Sequence, residues 1–571
     1  MALDATTLIN KLFGDSSSGV ILEIDLDRGL LRSVPQNPVE AIRSINTPTM
    51  GLLARTLRQA AKDPKVAGLV VHIGTCPISP SAVDELGDLI TRFGQAKPTV
   101  AYAESFGELT SGMFPYRLAT AAKEIWLQPS GAVVLGGTHL DLLLLRGGFE
   151  KLGLDPQFSQ RKEYKSAAEQ LAGREISDAH REMMQRIADS LVEESIAVIS
   201  ERRRLGGDVV RAAVERGPIK AADALSEGFV DKVGYRDEVY ASVREAWGQE
   251  AKLQYAGRYG GSVPSMVMEK LGTKNQPAIA VVNVTGGIVT GRGRPASPFG
   301  GPEAGSEVVC EHLRQAQKDD TVKAVILSVD SPGGSYIASD TIRREVVRTS
   351  QLGKPVVAFM GDVAASGGYF VSMGANEIVA TASTLTGSIG VFAGKMVTQG
   401  LYDKLGLVRD EVQNGRYAGM FAGNHGFTDE QWQVLNAWLD EVYDDFTGKA
   451  ALDRKMLQTE LEPLARGRVW TGADAKERHL VDHIGGRELA VERVCALADL
   501  DREKVQLKPV PLMGLLDRFQ PAESSEQPGG LAGAPVDLGS MGPEAMLRRL
   551  GSVFGLEVPG VLALPYRIRI S

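Results

Sequence analysis

Ser366 stands in the stretch GDVAASGGYF (361–370), behind two alanines and ahead of two glycines. Small neighbours leave a hydroxyl room to react, and glycines let the backbone turn sharply and come close to a ligand. The same pattern also serves a plain strand-to-helix turn. A serine nucleophile needs a base, and no histidine accompanies Ser366 in a recognisable pattern. Two other stretches bear on it. SVDSPGGS carries Gly333 and Gly334 just past an apolar run, where their backbone N–H groups would face a developing oxyanion. QRKEYKSAAEQ (160–170) carries Lys165. Most lysines stay on the surface, but one held in an apolar pocket loses its proton near neutral pH and serves as a base.

The elements that must position these residues occur twice. LRQAAKDPKVAGLVVHI (57–73) and LRQAQKDDTVKAVILSV (313–329) share seven identities over seventeen positions. KPTVAYAES (97–105) answers to KPVVAFMGD (354–362), and AADALSEGFVDKVG (221–234) to GADAKERHLVDHIG (472–485). Each copy alternates apolar strand-like runs with helical stretches, which predicts an α/β fold with a largely parallel sheet. Thr428 followed three residues later by Gln431 predicts a capping box opening a long helix in the second copy. The expected organisation is an N-terminal segment 1–19, a first repeat 20–245, a linker 246–276, a second repeat 277–500 and a C-terminal extension 501–571. Within that extension, the Gly/Pro/Ser-rich run from Pro521 to Pro543 is expected to be mobile, and the closing ALPYRIRIS to add an edge strand.

The two copies act as controls for each other. Where the second has Gly333 and Gly334, the first has Pro77 and Ile78, and proline offers no N–H. Aligning Tyr369 with Tyr116 places Met113 opposite Ser366. Aligning Tyr417 with Tyr164 places Ala418 opposite Lys165. The first copy lacks the serine and its glycines, and the second lacks the lysine. Turn geometry alone does not explain that pattern, which predicts a serine site completed by the lysine loop of an adjoining repeat, in this chain or in a neighbouring subunit.

Bulk properties narrow the classes. The 571 residues suffice for several domains, and 43% hydrophobic with 23% charged residues is ordinary for a globular protein. A net charge of −8 leaves no basic excess for nucleic acid. Cys76, Cys310 and Cys495 are too few and too scattered for a disulfide framework, so a reducing compartment is expected. His479 and His483 are four apart without a third ligand, and no metal is expected. No run reaches the ~20 apolar residues of a membrane helix, and the first residues lack the basic lead and apolar core of a secretory signal. Leu8, Ile9, Leu12 and Phe13 form one short amphipathic face, expected to dock on the protein's own surface.

Taken together, SPGG, AASGGYF, TGSIGV (386–391) and YKSAAE resemble the S49 peptidase family in its long, two-repeat form, over about residues 20–500. The resemblance implies tandem crotonase/Clp-protease-like repeats and a Ser–Lys dyad with no cofactor. Ser366 would be the nucleophile, Lys165 the general base, and Ser388 the residue that orients the lysine. Gly333 and Gly334 with the N–H of Gly367 would form the oxyanion hole. Substrates would be signal-peptide remnants or other unfolded peptides, and the protein a ring-like homo-oligomer, with a tetramer among the possible sizes. Members of this length usually carry an N-terminal membrane anchor that this chain does not show, so a cytoplasmic placement, with peripheral membrane contact at most, is expected. Two alternatives stay open: a crotonase-like CoA-ester hydratase or lyase, although no carboxylates pair with the SPGG turn, and a non-catalytic scaffold.

Overall fold

The computed structural model describes residues 19–33, 44, 46–74, 77–259, 276–294 and 301–510, and the backbone of 562–563 and 569–570. Cys76, the N-terminal amphipathic face and the run from Pro521 to Pro543 lie outside the described residues. The described residues form two compact units, one from those within 19–138 and 192–259, the other from those within 139–191 and 276–510.

The first unit is built on a six-stranded parallel sheet in the order Lys252–Tyr255, Val20–Asp25, Val66–His72, Thr99–Ala103, Glu124–Leu127, Lys232–Val233. Its central strands, VAGLVVH and TVAYA, are buried almost throughout, as a parallel sheet covered on both faces requires. One face packs Ile21, Val70, Val100 and Trp126 against Val239 and Val243 of the helix Arg236–Trp247. Helix starts follow local chemistry. Thr49 and Ser79 accept hydrogen bonds from the N–H groups of Leu52 and Ala82, and Pro80 opens its helix where no N–H is needed.

The second unit repeats that order: Gln506–Pro509, Ala278–Thr285, Val322–Ser331, Val356–Ala365, Glu377–Ala380, His483–Ile484. Here the fourth strand is ten residues long. Its first half pairs with Glu377–Ala380 and its second with Leu385–Gly387, which Val469–Thr471 joins antiparallel. The capping box at Thr428 and Gln431 forms as expected and opens the 26-residue helix Asp429–Arg454. Matching interactions fix the alignment of the copies. Tyr116 donates to the carbonyl of Phe229 (2.7 Å) and Tyr369 to that of Leu480 (3.1 Å). Arg203 pairs with Asp231 as Arg454 does with Asp482.

Packing and repeats divide the chain differently. Residues 139–191 belong to the first repeat by sequence but to the second unit by packing. The strand Asp155–Arg161 pairs antiparallel with Val391–Val397 over seven residues, Arg186 pairs with Asp474, and Ser190 bonds to Thr471. The strand Lys252–Tyr255 lies inside the stretch expected as a linker, and its counterpart Gln506–Pro509 inside the expected C-terminal extension. Both are short, half-polar edge strands, KLQY and QLKP, without the apolar run that marks a buried strand. The closing residues do add strands: Arg569–Ile570 against Leu140–Asp141, and Leu562–Ala563 against Gly333–Gly334.

Candidate active site

Ser366 sits between the strand Val356–Ala365 and the helix Gly367–Met373, with φ 56° and ψ −113°. A non-glycine residue in this region is strained and persists only when its surroundings hold it. They do: its N–H donates to Gly387 (2.8 Å), and its carbonyl accepts from Phe370 (2.8 Å). The glycines that follow are steric necessities. A Cβ on Gly367 would lie 2.7 Å from Ser339 Oγ and 3.0 Å from both Gly333 Cα and Gly334 N. One on Gly368 would lie 2.4 Å from the Ser331 carbonyl oxygen. The serine turn therefore nests against the Gly333–Gly334 turn. Gly334 in turn has no room for a side chain, since a Cβ there would meet the Ile288 carbonyl oxygen at 2.1 Å. The N–H of Gly333 is already donated to Ser331 Oγ (3.1 Å), whose own hydroxyl donates to Gly286 (2.6 Å).

Lys165 reaches the same point from the end of the strand Asp155–Arg161. Its Nζ lies 2.7 Å from Ser366 Oγ, 2.9 Å from Ser388 Oγ and 3.2 Å from the Ser388 carbonyl oxygen. Lys165 is 1% exposed, and Ser366 and Ser388 are fully buried. Among the described residues no carboxylate bonds to any of the three. Burial therefore pulls the lysine amine from 10.5 down to about 7. Three oxygens surround the amine, those of the Ser366 hydroxyl and of the Ser388 hydroxyl and carbonyl, so a neutral amine there has an oxygen for each N–H and the Ser366 hydroxyl within reach of its lone pair. Ser388 is also in the left-handed region (φ 50°), with its N–H donated to Arg468 (2.7 Å).

The structure thus brings together all six residues singled out in the sequence: Ser366, Lys165, Ser388, Gly333, Gly334 and Gly367. One expectation fails. The small neighbours of Ser366 do not expose its hydroxyl, because they are packed against the glycine turn, and the strand Leu562–Ala563 pairs with that turn. Sequence reasoning missed Ser331, which braces the glycine turn, and Arg466, Gly467 and Arg468, which run between the lysine loop and Ser388. No motif marks these three. In the first copy Met113, opposite Ser366, is buried, and in the second Ala418, opposite Lys165, is exposed.

For metals, Asp25, Asp27 and His72 in the first unit have ligand atoms within 4.8 Å of one another, with His72 held between Asp25 (3.0 Å) and Glu104 (2.9 Å). His483 instead faces Glu377 (3.2 Å), and the backbone carbonyl of His479 accepts from Arg454.

Comparison with known proteins places the chain in a family. The model of peptidase family S49 matches residues 92–250 and 348–501. The chain is 33% identical over 445 residues to the chloroplastic serine protease SPPA of Arabidopsis thaliana, covering 77% of this chain and 64% of that one. It is 32% identical over 451 residues to Protease 4 of Haemophilus influenzae, covering 76% and 71% of the two chains. With Protease 4 of Salmonella typhi it shares 30% identity over 462 residues, covering 78% and 72%. The chain belongs to peptidase family S49.

Proposed function

We propose that the chain is a serine endopeptidase working through a Ser366–Lys165 dyad. The observation that carries this is a buried lysine amine 2.7 Å from a serine hydroxyl, with no carboxylate among the described residues bonded to either. Neutral Lys165 accepts the Ser366 proton as Oγ attacks a peptide carbonyl carbon. The carbonyl oxygen becomes an oxyanion facing the amides of Gly334 and Gly367, while the Gly333 amide is already engaged with Ser331. One such donor lowers a barrier by roughly 3 kcal/mol. The lysinium then gives its proton to the leaving amine as the C–N bond breaks, leaving an acyl group on Ser366. A water deprotonated by Lys165 releases it. Ser388 keeps the amine aimed throughout.

The substrate class is an extended peptide. The antiparallel place beside Gly333–Gly334, taken by Leu562–Ala563 in this structure, is where a peptide strand would run past Ser366. Signal-peptide remnants and unfolded segments are extended and so fit it. A hydratase or lyase would need carboxylates at the dyad, where none among the described residues bonds. Labelling by a fluorophosphonate tests the reading: the parent should be modified at Ser366 and Ser366→Ala should not. Modification elsewhere, or hydrolysis retained by Ser366→Ala, would overturn it.

We further propose that the chain assembles as a homo-oligomeric ring. Residues 151–154 and 404–407 are both KLGL, so 408–414 is the counterpart of the paired strand Asp155–Arg161. That counterpart is exposed along its length, Val408 at 95% and Val412 at 103%. A second copy is the partner it suits. No helix among the described residues is long and apolar enough to cross a membrane. The cytoplasmic placement we favour rests on the sparse cysteines, of which Cys310 and Cys495 are buried free thiols, and cell fractionation tests it.

A further inference from the structure

Three consecutive residues, Arg466, Gly467 and Arg468, touch both sides of the proposed dyad. The carbonyl of Arg466 accepts from the N–H of Tyr164, next to the lysine (3.2 Å), and that of Arg468 from the N–H of Ser388 (2.7 Å). Between them, Gly467 donates to the carbonyl of Ile389 (2.7 Å). Gly467 has φ +84°, and a Cβ there would fall 2.5 Å from Lys165 N and 2.6 Å from its Cα and Cβ. The obstacle is main chain and the Cβ fixed to it, and no rotamer change moves either aside. From the other direction, a Cβ on Gly390 would fall 2.6 Å from Gly467 Cα, which accounts for the second glycine of TGSIGV.

The bridge is itself clamped. The Arg468 guanidinium lies between the rings of Tyr164 (4.6 Å) and Trp470 (4.5 Å) and pairs with Glu182, which also accepts from the Tyr164 hydroxyl (2.7 Å). Arg466 pairs with Glu163 (2.7 and 2.9 Å), two residues before Lys165. These contacts fasten residues 163–165 to residues 388–390 across a stretch about 80 residues further along the chain. Planar stacking with a charged partner is a role that arginine fills and lysine does not.

We infer that residues 466–468 are a positioning element of this peptidase, setting where Lys165 Nζ lies relative to Ser366 and Ser388 and sealing the lysine from water. Gly467 acts through the close approach of its main chain to Lys165, and Arg468 through the Tyr164 stack. The inference rests on the dyad proposed above.

Gly467→Ala and Arg468→Lys test it, with kcat, KM and the pH profile read on folded protein. A misplacement of about 1 Å can cost about a hundredfold in rate. Gly467→Ala should therefore lose about a hundredfold in kcat, with KM within about threefold of the parent. Its acid limb should rise by about one pH unit, because a lysine admitted to water regains its proton more readily. Arg468→Lys should move both readouts the same way but less, roughly five- to tenfold in kcat. If Gly467→Ala fails to fold, Arg468→Lys decides by the same criteria. Parent-like kcat in the folded variants, or a loss carried by KM with the acid limb in place, would overturn the inference. Ser366→Ala in the same assay separates the two readings: if it remains active the dyad itself is wrong, whatever the bridge variants do.

Discussion

Lys165 is where the chemistry and its cost meet. Its amine has been brought from 10.5 to about 7 by burial, so folding is penalised wherever the unfolded chain would hold the lysine proton, whether the folded chain keeps that proton in a buried site or gives it up. That penalty is fully present below about pH 7 and is relieved as pH rises from there towards 10.5. At 1.36 kcal/mol per pH unit it approaches 5 kcal/mol as an upper bound. Lys165→Met should therefore abolish hydrolysis yet raise the melting temperature at pH 6 by several degrees, with a smaller gain at pH 10. Calorimetry at the two pH values checks this, and equal or lower stability at pH 6 would contradict it. Ser366→Ala should likewise fold normally, because the change removes one oxygen, and should retain under about 1% of the activity.

The glycines of the site belong to the scale of elements, where turns and strands fit against one another. Gly334→Ala drives a Cβ into the Ile288 carbonyl and should cost at least ~2 kcal/mol of stability together with most activity. Gly51, near the start of the helix Met50–Lys62, has nothing within reach of a Cβ. Gly51→Ala should instead stabilise by roughly 0.5–1 kcal/mol. Chemical denaturation of both variants checks the contrast. How much of this the sequence disclosed depended on whether a copy existed to compare. Ser366, Gly333, Gly334 and Lys165 stood out because the other repeat carries Met113, Pro77, Ile78 and Ala418 in their places. Ser388 and Gly367 came from the family resemblance. The bridge at Gly467 had no such contrast, and its meaning lies in contacts to residues roughly 80 and 300 positions away. The edge strands KLQY and QLKP were invisible because a half-polar four-residue strand carries no periodic signal, and the burial of Ser366 depends on packing that no local pattern encodes.

At the scale of the whole molecule, the proposed site is divided between the repeats, with the serine and its glycines in the second and the lysine in the first. The lysine loop, 139–191, packs in the unit that holds Ser366, so one chain brings Lys165 to Ser366. Moving the lysine to its counterpart position should not restore activity: Lys165→Ala combined with Ala418→Lys puts the new amine at an exposed site and should remain inactive. Recovered hydrolysis would show that the dyad can form within one repeat. Assembly is a separate matter. Val408→Asp with Val412→Asp should reduce the oligomer to smaller species by light scattering while leaving the dyad intact. An unchanged mass would remove 408–414 as the contact.

The central claim is that Ser366 is a nucleophile activated by neutral Lys165, and the most direct measurement is the rate of fluorophosphonate labelling of Ser366 between about pH 5 and pH 9. Only the unprotonated amine accepts the serine proton, so labelling should be slow in acid, rise with a midpoint near the lysine's value of about 7, and vanish in Lys165→Met. A rate independent of pH, or labelling of Ser366 that persists without Lys165, would contradict it.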